Sequence, residues 1–365
     1  MATARILPEA QELPREPFHL SAAWARCWAE AYGEGRPLVL DLGGAILRLS
    51  RRKARLGPIR FSLLSSATNL QTCYFDLEGG GASREALAAL PTRLLRTGAA
   101  QVRIDWLPEN SALLAAARDW RPTHLALVEP FALSPIADCH RDFETFLADA
   151  GSSVAKYWKN CRRHILHGSL DFSIVRGGPG LGDLIDEMFA LEASGWKGRD
   201  GTAIVSNPRD AAFYRGLAFA AAEAGALRIA LLREEGRLIA FEYCVVGGDS
   251  VLAMKVGYDE TRRRLQPGHM LALMNIRDAC ADASLSAYDM LGNGLRIAPY
   301  KARFATGARA LYRIRLFART PEGVLLYALY RAKPLAKRLR AFFRRRSDDA
   351  ARLHKAGTGS RHEKT

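Results

Sequence analysis

Residues 254–271, MKVGYDETRRRLQPGHML, set three consecutive arginines, Arg262, Arg263 and Arg264, ahead of a Pro-Gly pair and an apolar helical run. A helix N-terminus presents unpaired N–H groups and a partial positive charge, so phosphates bind there readily. Gly268, just before the helix, lets the backbone come close to such an anion. The strand-like stretch before the arginines ends in Lys255-Val256-Gly257-Tyr258, and a glycine near a strand end marks a bulge or a close ligand approach. Strand, basic loop and helix N-terminus in that order suit a long cofactor with a pyrophosphate at one end. A solvated basic turn fits the same spacing, and one glycine does not choose between them.

Other residues have chemistry to offer. Asp289, in YDMLG, stands at a strand end before a Gly-rich loop, where a carboxylate can take a proton or orient an amine. The alternative is an aspartate that caps the loop. Trp196 and Lys197, in WKGR, form an aromatic-basic loop suited to a sugar face or a phosphate, or a loop anchored by one tryptophan. His164 and His167 lack an acid or cysteine at ligand spacing, so a metal site is not expected. The six cysteines are spread singly, without C-x-x-C or paired zinc spacing, and read as small buried hydrophobes.

The elements that must position these residues follow from periodicity. PLVLDLGGAILRLSR reads as two strands around Gly43-Gly44, and RFSLLS, TCYFDLE and AQVRIDWL as further strands. SREALAALPTRLLRTG is a helix capped by Ser83, SALLAAARDW is helical, and HLALVEPFAL is extended. A boundary is expected near 132–142. SSVAKYWKNCRRHILHG is an amphipathic helix, started by Ser152 or Ser153. Val154, Trp158, Cys161 and Ile165 share one face, and Lys156, Lys159 and Arg163 lie off it. LRIALL, RLIAFEYCVVG and SVLAMKVGY are strands whose turns, REEG and GGDS, are too short for crossover helices, so they form an antiparallel meander. A helix over 268–283, a short strand AYDML and a last strand ALYRIRLFAR complete a mixed α+β layout. The two halves look like related modules without a strict period.

Composition sets the class. With 365 residues, 48% hydrophobic and 25% charged, the chain is long enough for two packed lobes of ordinary globular character. No apolar run has the length of a membrane span, and residues 1–16 read as a polar leader, so a cytoplasmic location is expected. The net charge is +15, and residues 331–346, RAKPLAKRLRAFFRRR, carry eight Lys or Arg and no acid. That tail suits an anionic membrane surface or RNA, or packs on the body as a basic helix.

The second half resembles the GNAT acyltransferase superfamily, most of all its two-module branch associated with cellulose and exopolysaccharide biosynthesis, which is related to the FemABX-type transferases. The stretches that carry the likeness are SSVAKYWKNCRRHIL, LEASGWKGRDGTAI, FYRGLAFAAAEAGALRIALLREEGRLIAFEYCVV, KVGYDETRRRLQPGHMLALMNIRDA and YDMLGNGLRIAPYKARFA, over roughly residues 143–310. The resemblance implies two tandem GNAT-like modules, each a mixed, largely antiparallel sheet flanked by helices: 17–135 divergent, 136–322 catalytic, with 323–365 as a basic amphipathic helix and tail. It implies a sheet splayed at a bulge that admits an acyl-thioester arm. Lys255, Val256 and Gly257 would lie on the splayed strand, with Arg262, Arg263, Arg264, Gly268 and His269 around the pyrophosphate. Where the commonest loop of the superfamily has two small residues, this chain has Gly268 followed by His269. The donor implied is acyl-CoA or an acyl carrier protein, with an aminoacyl-tRNA end as the FemABX variant. The acceptor would be an amine or hydroxyl on a sugar, polysaccharide precursor or small metabolite.

Acyl transfer needs alignment, a base and donors for the oxyanion. On the resemblance, Tyr258 would protonate the leaving thiolate, and Lys301 matches the lysine of a Y-K-x-x-F stretch. Asp289 is the candidate base, and Trp196, Lys197 and Arg163 are the candidate substrate contacts. A non-catalytic member of the fold, docked to a polysaccharide-synthesis complex by its basic tail, is the rival reading.

Overall fold

The computed structural model describes residues 17–333 apart from Cys73, Gly80, Leu166 and His167. The leader, the basic segment from residue 334 onward and the expected roles of Cys73 and His167 lie outside the described residues.

Helix α1 (Ala22–Tyr32) opens the fold, capped by the Ser21 hydroxyl, which accepts from the Trp24 N–H. Strands β1 (Arg36–Asp41), β2 (Ala45–Leu56) and β3 (Ile59–Ser66) follow as a meander, turning first at Gly43 and Gly44 as expected. Then come β4 (Glu78–Gly79), α2 (Arg84–Leu95), β5 (Gln101–Pro108), α3 (Ala112–Asp119) and β6 (Leu125–Asp138). The second half begins with α4 (Phe143–Asp149), α5 (Ser152–Ile165), β7 (Asp171–Val175), α6 (Leu181–Ser194), α7 (Trp196–Arg199) and α8 (Pro208–Glu223). The expected meander is β8 (Leu227–Glu234), β9 (Arg237–Gly247) and β10 (Ser250–Tyr258). A 3-10 turn (Glu260–Leu265), α9 (Pro267–Cys280), β11 (Ala287–Asp289), α10 (Pro299–Ala302) and β12 (Gly307–Phe317) follow, and residues 321–333 are helical.

All twelve strands join one mixed sheet in the order β1-β2-β3-β5-β12-β6-β11-β10-β9-β8-β7, with β4 on β2. The fold is mixed α+β with helices flanking a large sheet, as expected. One pattern of elements occurs twice. A three-stranded meander leads into a helix, and a strand then returns parallel to the third meander strand: β5 beside β3, and β11 beside β10. A short helix and a long strand close each round, β6 in the first and β12 in the second.

Three expectations need correction. The boundary near 132–142 falls in no linker. β6 runs unbroken to Asp138, and β12, from the second half, pairs with both β5 and β6. Of the described residues of TCYFDLE only Glu78 lies in a strand, the two-residue β4, and the Phe75 N–H donates to the Trp106 carbonyl outside any regular ladder. Ser152 and Ser153 lie inside α5, and the Gly151 carbonyl instead accepts from the Val154 N–H.

Candidate active site

β10 pairs with β11 over Ser250, Val251 and Leu252 alone, and then runs on through Tyr258 without that neighbour. At the parting the β9–β10 register skips a residue: Ala253 faces Cys244 and Lys255 faces Tyr243, leaving Met254 without a ladder partner. The far side of the gap is held back by Lys301, whose Nζ donates to the carbonyls of Met290 (2.7 Å) and Leu291 (2.6 Å). The equivalent gap in the first half is filled. There the segment after β3 crosses the opening, and the Phe75 N–H donates to the Trp106 carbonyl at the end of β5.

The open gap is a cleft of about 550 Å³ whose walls include Trp196, Lys197, Lys255, Val256, Tyr258, Gly268, His269 and Lys301. A second cavity of about 470 Å³ meets it at Ala253–Lys255 and Tyr300–Lys301 and opens past Asn293 and Arg296. Two reactants can therefore reach the bulge from different sides. A third, basic groove of about 1110 Å³ runs along α5, lined by Lys156, Lys159, Arg162, Arg163, Arg264 and Gln266. Tyr157 divides groove from cleft, its ring 4.5 Å from that of His269, which is a cleft residue.

The floor carries a carboxylate that the sequence reading passed over. Glu242, on β9, is 6% exposed. It accepts from the Tyr288 hydroxyl (2.7 Å) and from Asn275 Nδ2 (2.6 Å). Asn275 Oδ1 in turn accepts from Arg228 Nε (3.1 Å), and Arg228 is fully buried and paired with Asp278. The arginine fixes the amide orientation, because Nε can only donate. Burial raises the Glu242 carboxyl above the usual carboxylate range, against the opposing hydrogen bonds of Tyr288 and Asn275.

The cleft gathers many of the sequence candidates and leaves others out. Lys255, Val256, Tyr258, Gly268, His269, Trp196, Lys197 and Lys301 all line it. Lys197 Nζ donates to the Val256 carbonyl and to buried Glu192, both at 2.6 Å. Burial, then Arg303, lowers the His269 pKa, which keeps the ring neutral. Asp289 is misplaced as a base. It is fully buried and accepts from Tyr74 (2.5 Å), Ser134 (2.5 Å) and the Leu291 N–H (2.9 Å), with Arg309 at 3.4 Å. Gly257 faces away from the cleft, where an added Cβ would sit 2.4 Å from the Phe241 ring.

The three arginines do not act together. In a 3-10 turn successive side chains point about 120° apart. Arg262 pairs with Glu234 (2.6 Å), Arg264 lines the basic groove, and Arg263 is exposed and lines neither groove nor cleft. Arg163 also belongs to the groove, where it donates to Asn160. Among the described residues, no cluster of His, Cys, Asp and Glu could hold a metal, and no helix is long and apolar enough to cross a membrane.

A split sheet, a bulge at its fork and a helix N-terminus beside it are the parts that the resemblance implied. Residues 152–302 match the family model described as Acetyltransferase (GNAT) domain. This stretch is similar to a GNAT acetyltransferase domain. A comparison with curated protein sequences gives no match. Among solved structures the fold is similar to FemX, with a TM-score of 0.57 and 10% identity over 87% of this chain and 96% of that one. It is similar to L-PGS from Bacillus licheniformis, at 0.51 and 13% over 87% of this chain and 98% of that one. A conserved protein of unknown function from Bacteroides thetaiotaomicron gives 0.56 and 13% over 84% and 93%. At these identities the likeness is one of fold. Within the matched stretch, Glu242 and Asn275 were findable by one signal: each is a polar residue inside an otherwise apolar element, LIAFEYCVV and MLALMNI.

Proposed function

We propose that this protein moves an acyl group from a thioester donor, acyl-CoA or an acyl carrier protein, to an amine or hydroxyl acceptor. The observation that carries the reading is the gap between β10 and β11, which is open in the second half and plugged in the first. The donor's narrow arm fits that gap, with its phosphates toward Gly268 and Arg264 and its acyl carbonyl at the bulge. The Met254 N–H, at the register shift, is the oxyanion donor of this reading. The acceptor enters by the second cavity and attacks the carbonyl. Its nucleophile bonds to carbon as the C–S bond breaks, Glu242 takes the nucleophile's proton, and Tyr258 protonates the leaving thiolate. A raised carboxyl suits a base working near neutral pH. The first round of elements, closed by β6, then acts as a support module and the second, closed by β12, as the catalytic one. The placement of the acceptor among sugars or envelope and exopolysaccharide precursors rests on the sequence resemblance, and a cytoplasmic location on the polar leader and the lack of a membrane-length apolar run in the sequence.

A second reading, aminoacyl transfer from tRNA, is favoured by the basic groove along α5, which offers five cations to a polyphosphate chain. Thermal stability against acetyl-CoA, a longer acyl-CoA, free CoA and tripolyphosphate separates the readings. A ligand at 100 times its Kd adds about 2.7 kcal/mol. Stabilisation by one acyl-CoA beyond CoA, with none from tripolyphosphate, supports the thioester donor. Equal shifts with every polyanion refute it, and salt-dependent tRNA binding lost in Lys156→Ala/Arg163→Ala supports the second reading.

A further inference from the structure

The helix over residues 321–333 packs Leu326, Tyr327 and Tyr330 onto Phe317 and its neighbours in the sheet. Its other face carries Val324, Leu325, Ala328, Leu329 and Ala332, a continuous helical stripe of apolar residues that are all exposed. Val324 and Leu325 are each 47% open to solvent and Leu329 41%. Between the helix and the β2–β3 hairpin lies a furrow of about 510 Å³, with Leu56, Ile59, Leu325 and Leu329 in its walls. The surroundings are basic: Arg52 is exposed on the hairpin face that carries Leu56 and Ile59, and Arg331 and Lys333 are exposed on the last described turn of the helix. Directly after Lys333 the sequence adds six cations and no acid through residue 346.

We infer that this face docks on an anionic lipid bilayer. The apolar stripe enters the acyl boundary while the flanking cations meet the headgroups. Charge decides among the occupants. An isologous contact with a second copy presents the same patch twice, so it would set cations against cations. A nucleic acid would satisfy the cations and leave the stripe in water. An anionic membrane satisfies both, and none of these residues lines the catalytic cleft, so docking leaves it unobstructed by them.

The test is co-sedimentation of the full-length protein with vesicles of phosphatidylcholine alone and of phosphatidylcholine with about a third phosphatidylglycerol. Binding is expected to the phosphatidylglycerol vesicles and to weaken with salt. Arg331→Gln/Lys333→Gln is expected to weaken it about fivefold per charge. Leu325→Gln/Leu329→Gln is expected to weaken it about tenfold or more, with unchanged circular dichroism. Three results overturn the inference: no binding to phosphatidylglycerol vesicles, undiminished binding by the leucine variant, or a concentration-dependent dimer that the leucine variant abolishes.

Discussion

Glu242→Gln separates the chemical role of the cleft floor from its structural one. Glutamine keeps the shape. Its Oε1 accepts from Asn275, and its Nε2 faces the Tyr288 hydroxyl, which rotates to accept in place of donating. Rearranging that one hydrogen bond costs about 1 kcal/mol. Against it stands the removal of a buried carboxylate. Burial raises the Glu242 pKa, so the folded protein holds this proton more tightly than the unfolded chain does. The parent therefore loses stability as pH rises through that raised value, and the glutamine variant does not. The Tm of the variant relative to the parent should climb as pH rises from the ordinary glutamate pKa, about 4.3, toward and through neutrality. Turnover, followed as CoA release, should fall about a hundredfold to ten-thousandfold, or about 3–5 kcal/mol in barrier. A flat Tm difference across that range would refute the raised pKa. Turnover within about threefold of the parent would remove Glu242 from the chemistry.

Arg264→Ala should weaken acyl-CoA binding about tenfold, the loss of one charge-assisted phosphate contact, whereas Arg262→Ala, which breaks only the pair with Glu234, should leave it unchanged in calorimetry. Equal losses in the two would restore the three-arginine cradle. Gly257→Ala should cost about 1–3 kcal/mol in denaturant unfolding, because its Cβ meets Phe241. Gly268→Ala, whose Cβ would lie 3.9 Å from Val256 Cγ2, should keep its unfolding midpoint while donor binding weakens. Asp289→Asn places an amide N–H₂ among the hydroxyl donors of Tyr74 and Ser134 and should cost about 3 kcal/mol of stability. A loss of turnover at unchanged Tm in that variant would return Asp289 to the active site.

Much of the fold was legible because its signals are local. The turns REEG and GGDS leave no room for a crossover, so β8, β9 and β10 had to be antiparallel, and the α5 stripe had to bury Val154 and Cys161. The site was harder to read, because its geometry depends on distant partners. Asp289 looked like a strand-end carboxylate before a Gly-rich loop, but Tyr74, 215 residues away in sequence, closes over it. The arginine triplet looked like one cradle, and only the 3-10 winding of Glu260–Leu265 turns its members apart. Cleft residues on β10 and α9 were found because glycine and strand-end patterns mark backbone approach. Glu242 was missed because a single acid in a strong apolar run was read as part of the strand and not as its exception.

The last strand of the sheet also sets an order on how this chain can be made. β12 sits between β5 and β6, so those two strands have no common neighbour until residue 317 has been added. From the end of β6 to the end of β12 the ribosome must add roughly 180 residues, on the order of ten to forty seconds of synthesis. During that interval the N-terminal half carries three edges awaiting second-half strands, one on β5 and both on β6, that invite pairing with any passing strand. A nascent chain released early, or an N-terminal half expressed alone, would keep those edges for good. The first half is thus committed to waiting for the second, and their unit of inheritance is the whole reading frame.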